Sequence, residues 1–163
     1  MLKAAIVMIS IFLIFLIIIF VPIVPVLKVS VDGKNFFVIS RHIIINISYV
    51  HSVELLKVNE VFVLKNNEFY LKTLKWPGYG AGLISSSNDI ATDGDMKIIN
   101  DEYVLDNLNV SVGKMISINT DFMINPNVTV NGMKINGKDI TLEIEAISLF
   151  ELLWIRLRGD VYG

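Results

Sequence analysis

The sequence predicts an all-β fold, an antiparallel sandwich or partly open barrel, preceded by one transmembrane helix. Three observations predict it. Residues 4–27 contain no charged side chain. The run from Ile43 to Val53 places Ile43, Ile45, Ile47, Tyr49, His51 and Val53 on one face of a strand, the period-2 pattern of a half-buried strand. Beyond it, short β-rich runs are punctuated by Asp32-Gly33, Asn66-Asn67, Asn131-Gly132 and Asn136-Gly137. Such dipeptides suit tight turns because Asn, Asp and Gly tolerate positive φ.

The apolar N-terminal run reads as an uncleaved anchor, residues 1–27. About 20 apolar residues span the ~30 Å hydrocarbon core, and Ala4 to Val21 alone gives roughly 27 Å as a helix. Pro22 and Pro25 end that helix. A cleaved secretory signal predicts a shorter apolar region and a small-residue cleavage site, and no Ala-x-Ala follows. The β-domain then occupies 28–147, enough chain for one core. Residues 148–163 form an amphipathic segment, helix or strand, in which Trp154, Arg156 and Arg158 suit a membrane interface.

Composition excludes several functions. With no cysteine there is no disulfide, thiol nucleophile or thiolate metal ligand. The net charge of −2 and the lack of a basic stripe argue against nucleic acid as a partner. The glycine-rich run Trp76-Pro77-Gly78-Tyr79-Gly80-Ala81-Gly82 is not a dinucleotide fingerprint, since no helix pattern follows. It is not a phosphate loop, since the Lys-Ser/Thr is missing. No cofactor is implied.

Turn positions give a register. A reversal centred on Leu55-Leu56 sets Tyr49 opposite Phe62, Ile47 opposite Leu64, and His51 opposite Glu60, with Glu54 opposite Lys57 on the other face. Leu55-Leu56 is poor two-residue turn chemistry, so a wider loop is expected there. A hairpin centred on Asn66-Asn67 sets Leu64 opposite Phe69, Phe62 opposite Leu71 and Glu60 opposite Thr73. The two registers agree on one face and align His51, Glu60 and Thr73 as a polar row. The chain returns to that end of the meander as it enters Trp76–Gly82. The candidate ligand-binding set is therefore His51, Glu60, Thr73, Trp76, Gly78, Tyr79, Gly80 and Gly82, since loops at the end of a rigid sheet often carry binding residues. The alternative is a structural hydrogen-bonded pair closing the core. No catalytic residue is assigned. A metal needs three or four protein ligands, and no third is matched: His42 lies some 30 Å from His51 along an extended strand.

The run Tyr49-Val50-His51-Ser52-Val53-Glu54, then Glu60-Val61-Phe62, then Gly80-Ala81-Gly82, resembles the family known as domain of unknown function 1850. The likeness covers roughly residues 26 to 145 and not the tail from Ile147. The family is similar to exported, membrane-tethered domains, often beside permeases of the tripartite ATP-independent periplasmic type. Lys28, Lys34 and Arg41 outnumber Lys3 and favour the opposite orientation, yet long domains translocate largely regardless of charge. The resemblance therefore implies a single-pass signal-anchor in the cell membrane, N-terminus inside, domain extracytoplasmic. Sequons at Asn46, Asn109 and Asn127 are compatible with export.

The expected function is a non-enzymatic accessory or binding module. The resemblance points to a membrane transport system, with the membrane, a transporter subunit or a small-molecule ligand as partners. The alternative is a metal- or carboxylate-assisted hydrolase using His51 and Glu60. An acidic side chain bonded to His51 beside an open cleft would favour the enzyme.

Overall fold

The computed structural model describes residues 2–40, 42–52, 55–78 and 94–162. Two mostly antiparallel sheets pack as a sandwich. One has strand order β13-β2-β1-β12-β9, and the other β11-β10-β3-β4-β5-β7-β6 with β8 also paired to β5. The strands are β1 Val24–Val31, β2 Lys34–Val38, β3 Ile44–His51, β4 Lys57–Lys65, β5 Glu68–Pro77, β6 Asp95–Ile99, β7 Glu102–Asp106, β8 Val110–Gly113, β9 Met115–Asn119, β10 Met123–Val130, β11 Met133–Ile135, β12 Asp139–Ile147 and β13 Val161–Tyr162. Helix α1 spans Leu2–Phe20 and α2 spans Leu149–Arg158.

Alternation builds the core. Ile43, Ile45 and Ile47 point inward and are buried, as are Leu27 and Val29 of β1 and Ile140 and Leu142 of β12. They meet Phe62, Phe69, Val128 and Val130 between the sheets. Three of the expected tight turns close hairpins. Asp32-Gly33, Asn66-Asn67 and Asn131-Gly132 all have positive φ at both residues, which matches the right-handed twist of the flanking strands. Asn136-Gly137 does something else: it carries the chain from β11 in one sheet to β12 in the other. A Cβ at Gly137 would collide with Val31 and approach the Asp32 carboxylate. That carboxylate accepts from the backbone N–H groups of Lys138 and Asp139 at 2.9 and 3.0 Å. The glycine permits this close approach.

The N-terminal expectation is corrected. Among the described residues no helix is long and apolar enough to cross a membrane. Helix α1 has 19 residues, about 28 Å of rise against a ~30 Å hydrocarbon core. The apolar run does not continue it, because Val24 to Leu27 turn into β1, where Val26 and Leu27 are buried in the sandwich. The single-pass anchor is thus overturned, and with it the cell-membrane localisation with N-terminus inside and an extracytoplasmic domain.

The C-terminal segment is a capped helix followed by a short strand. The Ser148 hydroxyl accepts from the Glu151 N–H, and the Glu151 carboxylate accepts from the Ser148 N–H at 2.8 Å, a reciprocal capping box. Gly159 ends the helix in the left-handed conformation. Phe150 of α2 meets Phe20 of α1 with ring centroids 5.3 Å apart.

Candidate functional site

The β3–β4 register differs from the sequence expectation by four residues. Ile47 faces Glu60, Tyr49 faces Val58 and Ile45 faces Phe62. The cause lies at the reversal. The backbone of His51 bonds both Leu55 and Leu56, at 2.8 Å each, and Leu55 takes φ 54°. His51 and Leu56 therefore already close the reversal, and Lys57 pairs with Val50. An even slip leaves every side chain on its expected face, so the inward set of β3 holds while its partners change. His51 and Glu60 are not cross-strand neighbours. Glu54 lies outside the described residues.

The β4–β5 hairpin follows the expected register from Lys65 to Phe62, then breaks. Phe62 pairs with Leu71 but Val61 pairs with Thr73, which leaves Lys72 as the extra residue of a bulge. A single inserted residue reverses the faces beyond it. Glu60 consequently pairs with Leu74 rather than Thr73. Thr73 joins Val61 on the opposite side of the sheet. There it is buried, and its hydroxyl donates to Asp106 Oδ1 at 2.8 Å. That bond and the Asn107 backbone N–H hold the Asp106 carboxyl below its ordinary range. The expected His51–Glu60–Thr73 row does not form.

Glu60 has a different partner. The Tyr49 hydroxyl donates to Glu60 Oε1 at 3.2 Å, along the diagonal of the β3–β4 pair. Burial pushes the Glu60 carboxyl up, and the Tyr49 bond offsets part of the rise. Burial, then the Glu60 charge, pushes the Tyr49 hydroxyl up to about 12. Tyr49 touches both hydrophobic clusters of the domain, so the pair sits at their junction.

Trp76 is only 1% exposed. It pairs with Tyr103 across β5 and β7, their rings stacked with centroids 5.6 Å apart and planes 13° from parallel. Together with Val58, Leu105 and Leu108 they form the second core cluster. Gly78 follows with φ 70°, a conformation suited to glycine. Tyr79, Gly80 and Gly82 lie outside the described residues. Among the described residues no three His, Cys, Asp or Glu side chains gather as a metal site would require. The sequence reading missed Asp106 and Tyr103 because it did not recognise the β6–β7 hairpin. Asn100-Asp101, both at positive φ, was the available signal.

An open cleft lies elsewhere, between the sheets where β1 begins. Its volume is about 530 Å³. Val26, Ile43, Leu64 and Ile144 supply apolar walls, and Ser40 and Asn66 supply neutral polar groups; no charged side chain among the described residues lines it. Such a volume lies within the ~300–1,000 Å³ typical of small-molecule sites.

A family model described as a domain of unknown function (DUF1850) matches residues 45–136, more than half of the chain. No curated protein matches the chain, and no solved structure does.

Proposed function

Because the chain belongs to the domain of unknown function 1850 family, whose description assigns no chemistry, we propose from the geometry that it is a non-enzymatic binding module. The cleft between the sheets carries this reading. It combines apolar walls with a few uncharged hydrogen-bonding groups, the chemistry that retains an uncharged, largely apolar small molecule. A charged ligand would lose its hydration there without gaining a counter-charge from the described lining. Service to a membrane transport system belongs to the same proposal and rests on the family's genomic company. Copurification of a permease with the tagged chain would test that part.

The hydrolase alternative loses its geometric basis. It needed His51 and Glu60 side by side, and the register sets Glu60 against Ile47 and Leu74. The Glu60–Tyr49 pair instead closes the junction between the two clusters.

Titration with N-phenyl-1-naphthylamine, an uncharged apolar fluorophore, tests the cleft. The full chain should bind it saturably. Ile144→Trp, which fills the cleft, should abolish the saturable component while the variant still unfolds cooperatively. Equal saturable binding by the folded variant, or none by the wild type, would refute the reading.

A further inference from the structure

One side of the sandwich is bounded by the two shortest strands among the described residues. Strand β11 has three residues and ends one sheet; β13 has two and ends the other. Cavities of about 550 and 330 Å³ lie along that side. Met133 and Tyr162 line both, and the smaller shares Ile39 and Ser40 with the cleft described above.

Tyr162 belongs to a segment that docks on β2 by strand addition. Val161 and Tyr162 pair in parallel with Phe37 and Val38. The Phe37 N–H donates to the Asp160 carbonyl at 2.9 Å, and the Ile39 N–H donates to the Tyr162 carbonyl at 3.3 Å. The Tyr162 ring meets Phe36 edge-on, with centroids 5.1 Å apart. These contacts occupy only part of the edge. Phe37 and Ile39 direct their backbone groups outward, so the period of two directs those of Asn35 outward as well. No strand of the described residues pairs there. The chain's own segment cannot extend over Asn35, because the residues before Asp160 belong to the end of α2.

A partly paired edge with an apolar trough beside it is the geometry of β-strand addition. Main-chain hydrogen bonds then supply affinity, and alternate side chains supply specificity. We propose that the outer edge of β2, with its neighbouring groove, is the docking site for an extended segment of a partner protein, which the chain's own Asp160–Tyr162 partly fills. A continuous partner segment could pair with Asn35 as well as Phe37 and Ile39, one outward residue more than the internal segment reaches. Apolar or aromatic side chains at alternate positions would fill the space between Phe36, Val38, Val130 and Met133. The groove also suits an acidic residue. Lys34 and Lys134 line its larger cavity, whereas the Asp32 carboxylate is engaged by two backbone N–H groups. The internal segment has the same character, an aspartate followed by valine and tyrosine.

The test uses the full chain and a dye-labelled hexapeptide, Asp-Val-Tyr-Val-Thr-Val, read by fluorescence anisotropy. Tyr162→Ala weakens the internal competitor and should raise affinity at least tenfold over wild type. Tyr162→Phe, which keeps the ring, should bind as the wild type does. Asn35→Pro removes the outward-facing N–H, which edge strands tolerate, and also the amide oxygen that accepts from the Ser30 hydroxyl at 2.6 Å. It should lower the affinity of the Tyr162→Ala background at least fivefold, whereas Asn35→Ala, which loses the same side-chain bond but keeps the N–H, should not. Ile144→Trp should leave peptide binding unchanged, which separates this site from the small-molecule cleft. No binding to Tyr162→Ala, equal binding to Tyr162→Ala and wild type, or indifference to Asn35→Pro would each overturn the proposal. Self-association of Tyr162→Ala without peptide binding would overturn it in favour of a second copy of the chain.

Discussion

Trp76→Ala tests whether the second cluster is core or ligand wall. Trp76 is 1% exposed and packs with Val58, Tyr103, Leu105 and Leu108. Truncating a buried aromatic to alanine costs about 3–5 kcal/mol. The stack on Tyr103 contributes about 0.5–1.5 kcal/mol beyond area burial. The cavity cannot collapse readily, because β4, β5 and β7 are fixed by ladder hydrogen bonds around it. Domain stabilities run to about 5–15 kcal/mol, so the variant should lose about a fifth of the total or more. Its melting temperature should fall by roughly 10 °C or more. Urea unfolding followed by far-UV circular dichroism avoids the change in tryptophan emission. A double-mutant cycle with Tyr103→Ala should return a coupling of about 0.5–1.5 kcal/mol. A loss below ~1 kcal/mol for Trp76→Ala would refute the core assignment and restore Trp76 as an exposed wall.

Thr73→Val should cost about 1 kcal/mol at neutral pH by removing the bond to Asp106. Because that bond lowers the Asp106 pKa in the fold, its contribution is present above the unfolded carboxyl range and fades as pH falls through the folded value. Melting curves of wild type and variant should therefore converge in acid. Glu60→Gln has the opposite sign. The folded Glu60 pKa is raised, so the stability linked to its proton is present below the unfolded value and lost as pH rises through the folded one. The glutamine variant should gain relative to wild type from pH 4 to pH 8, and a pH-independent difference in melting temperature would contradict the burial of Glu60. Asn67 sits at φ 60°. Asn67→Gly should be neutral or stabilising, and Asn67→Val should cost about 1–2 kcal/mol in urea unfolding.

Much of the fold was legible where chemistry is local. Asp32-Gly33, Asn66-Asn67 and Asn131-Gly132 are turns because few other pairs accept positive φ twice in succession. The inward set Ile43, Ile45 and Ile47 was legible because alternation survives any even slip. The β3–β4 register was not, because its loop places a leucine at φ 54°. That conformation carries no compositional mark. The bulge at Lys72 was equally silent, since nothing in Leu71-Lys72-Thr73 distinguishes an inserted residue from a regular one. For the N-terminal run, hydropathy marked 24 consecutive uncharged residues without marking where helix gives way to strand. Val24 to Leu27 satisfy both patterns, and pairing with Ile144 to Ile147 decides for β1.

These two silent features dismantled the expected polar row. The register slip separates His51 from Glu60, and the bulge carries Thr73 through to the other side of the sheet. Each polar group then finds its own partner, Tyr49 for Glu60 and Asp106 for Thr73, as buried polar groups must. Satisfied pairs of this kind close a core and leave little hydrogen-bonding capacity for a ligand. Open space lies instead beside the end strands β11 and β13, which are too short to cover the gap between the sheets. A strand of two or three residues has no period for a pattern to reveal, so such an opening emerges only when the sheets are assembled.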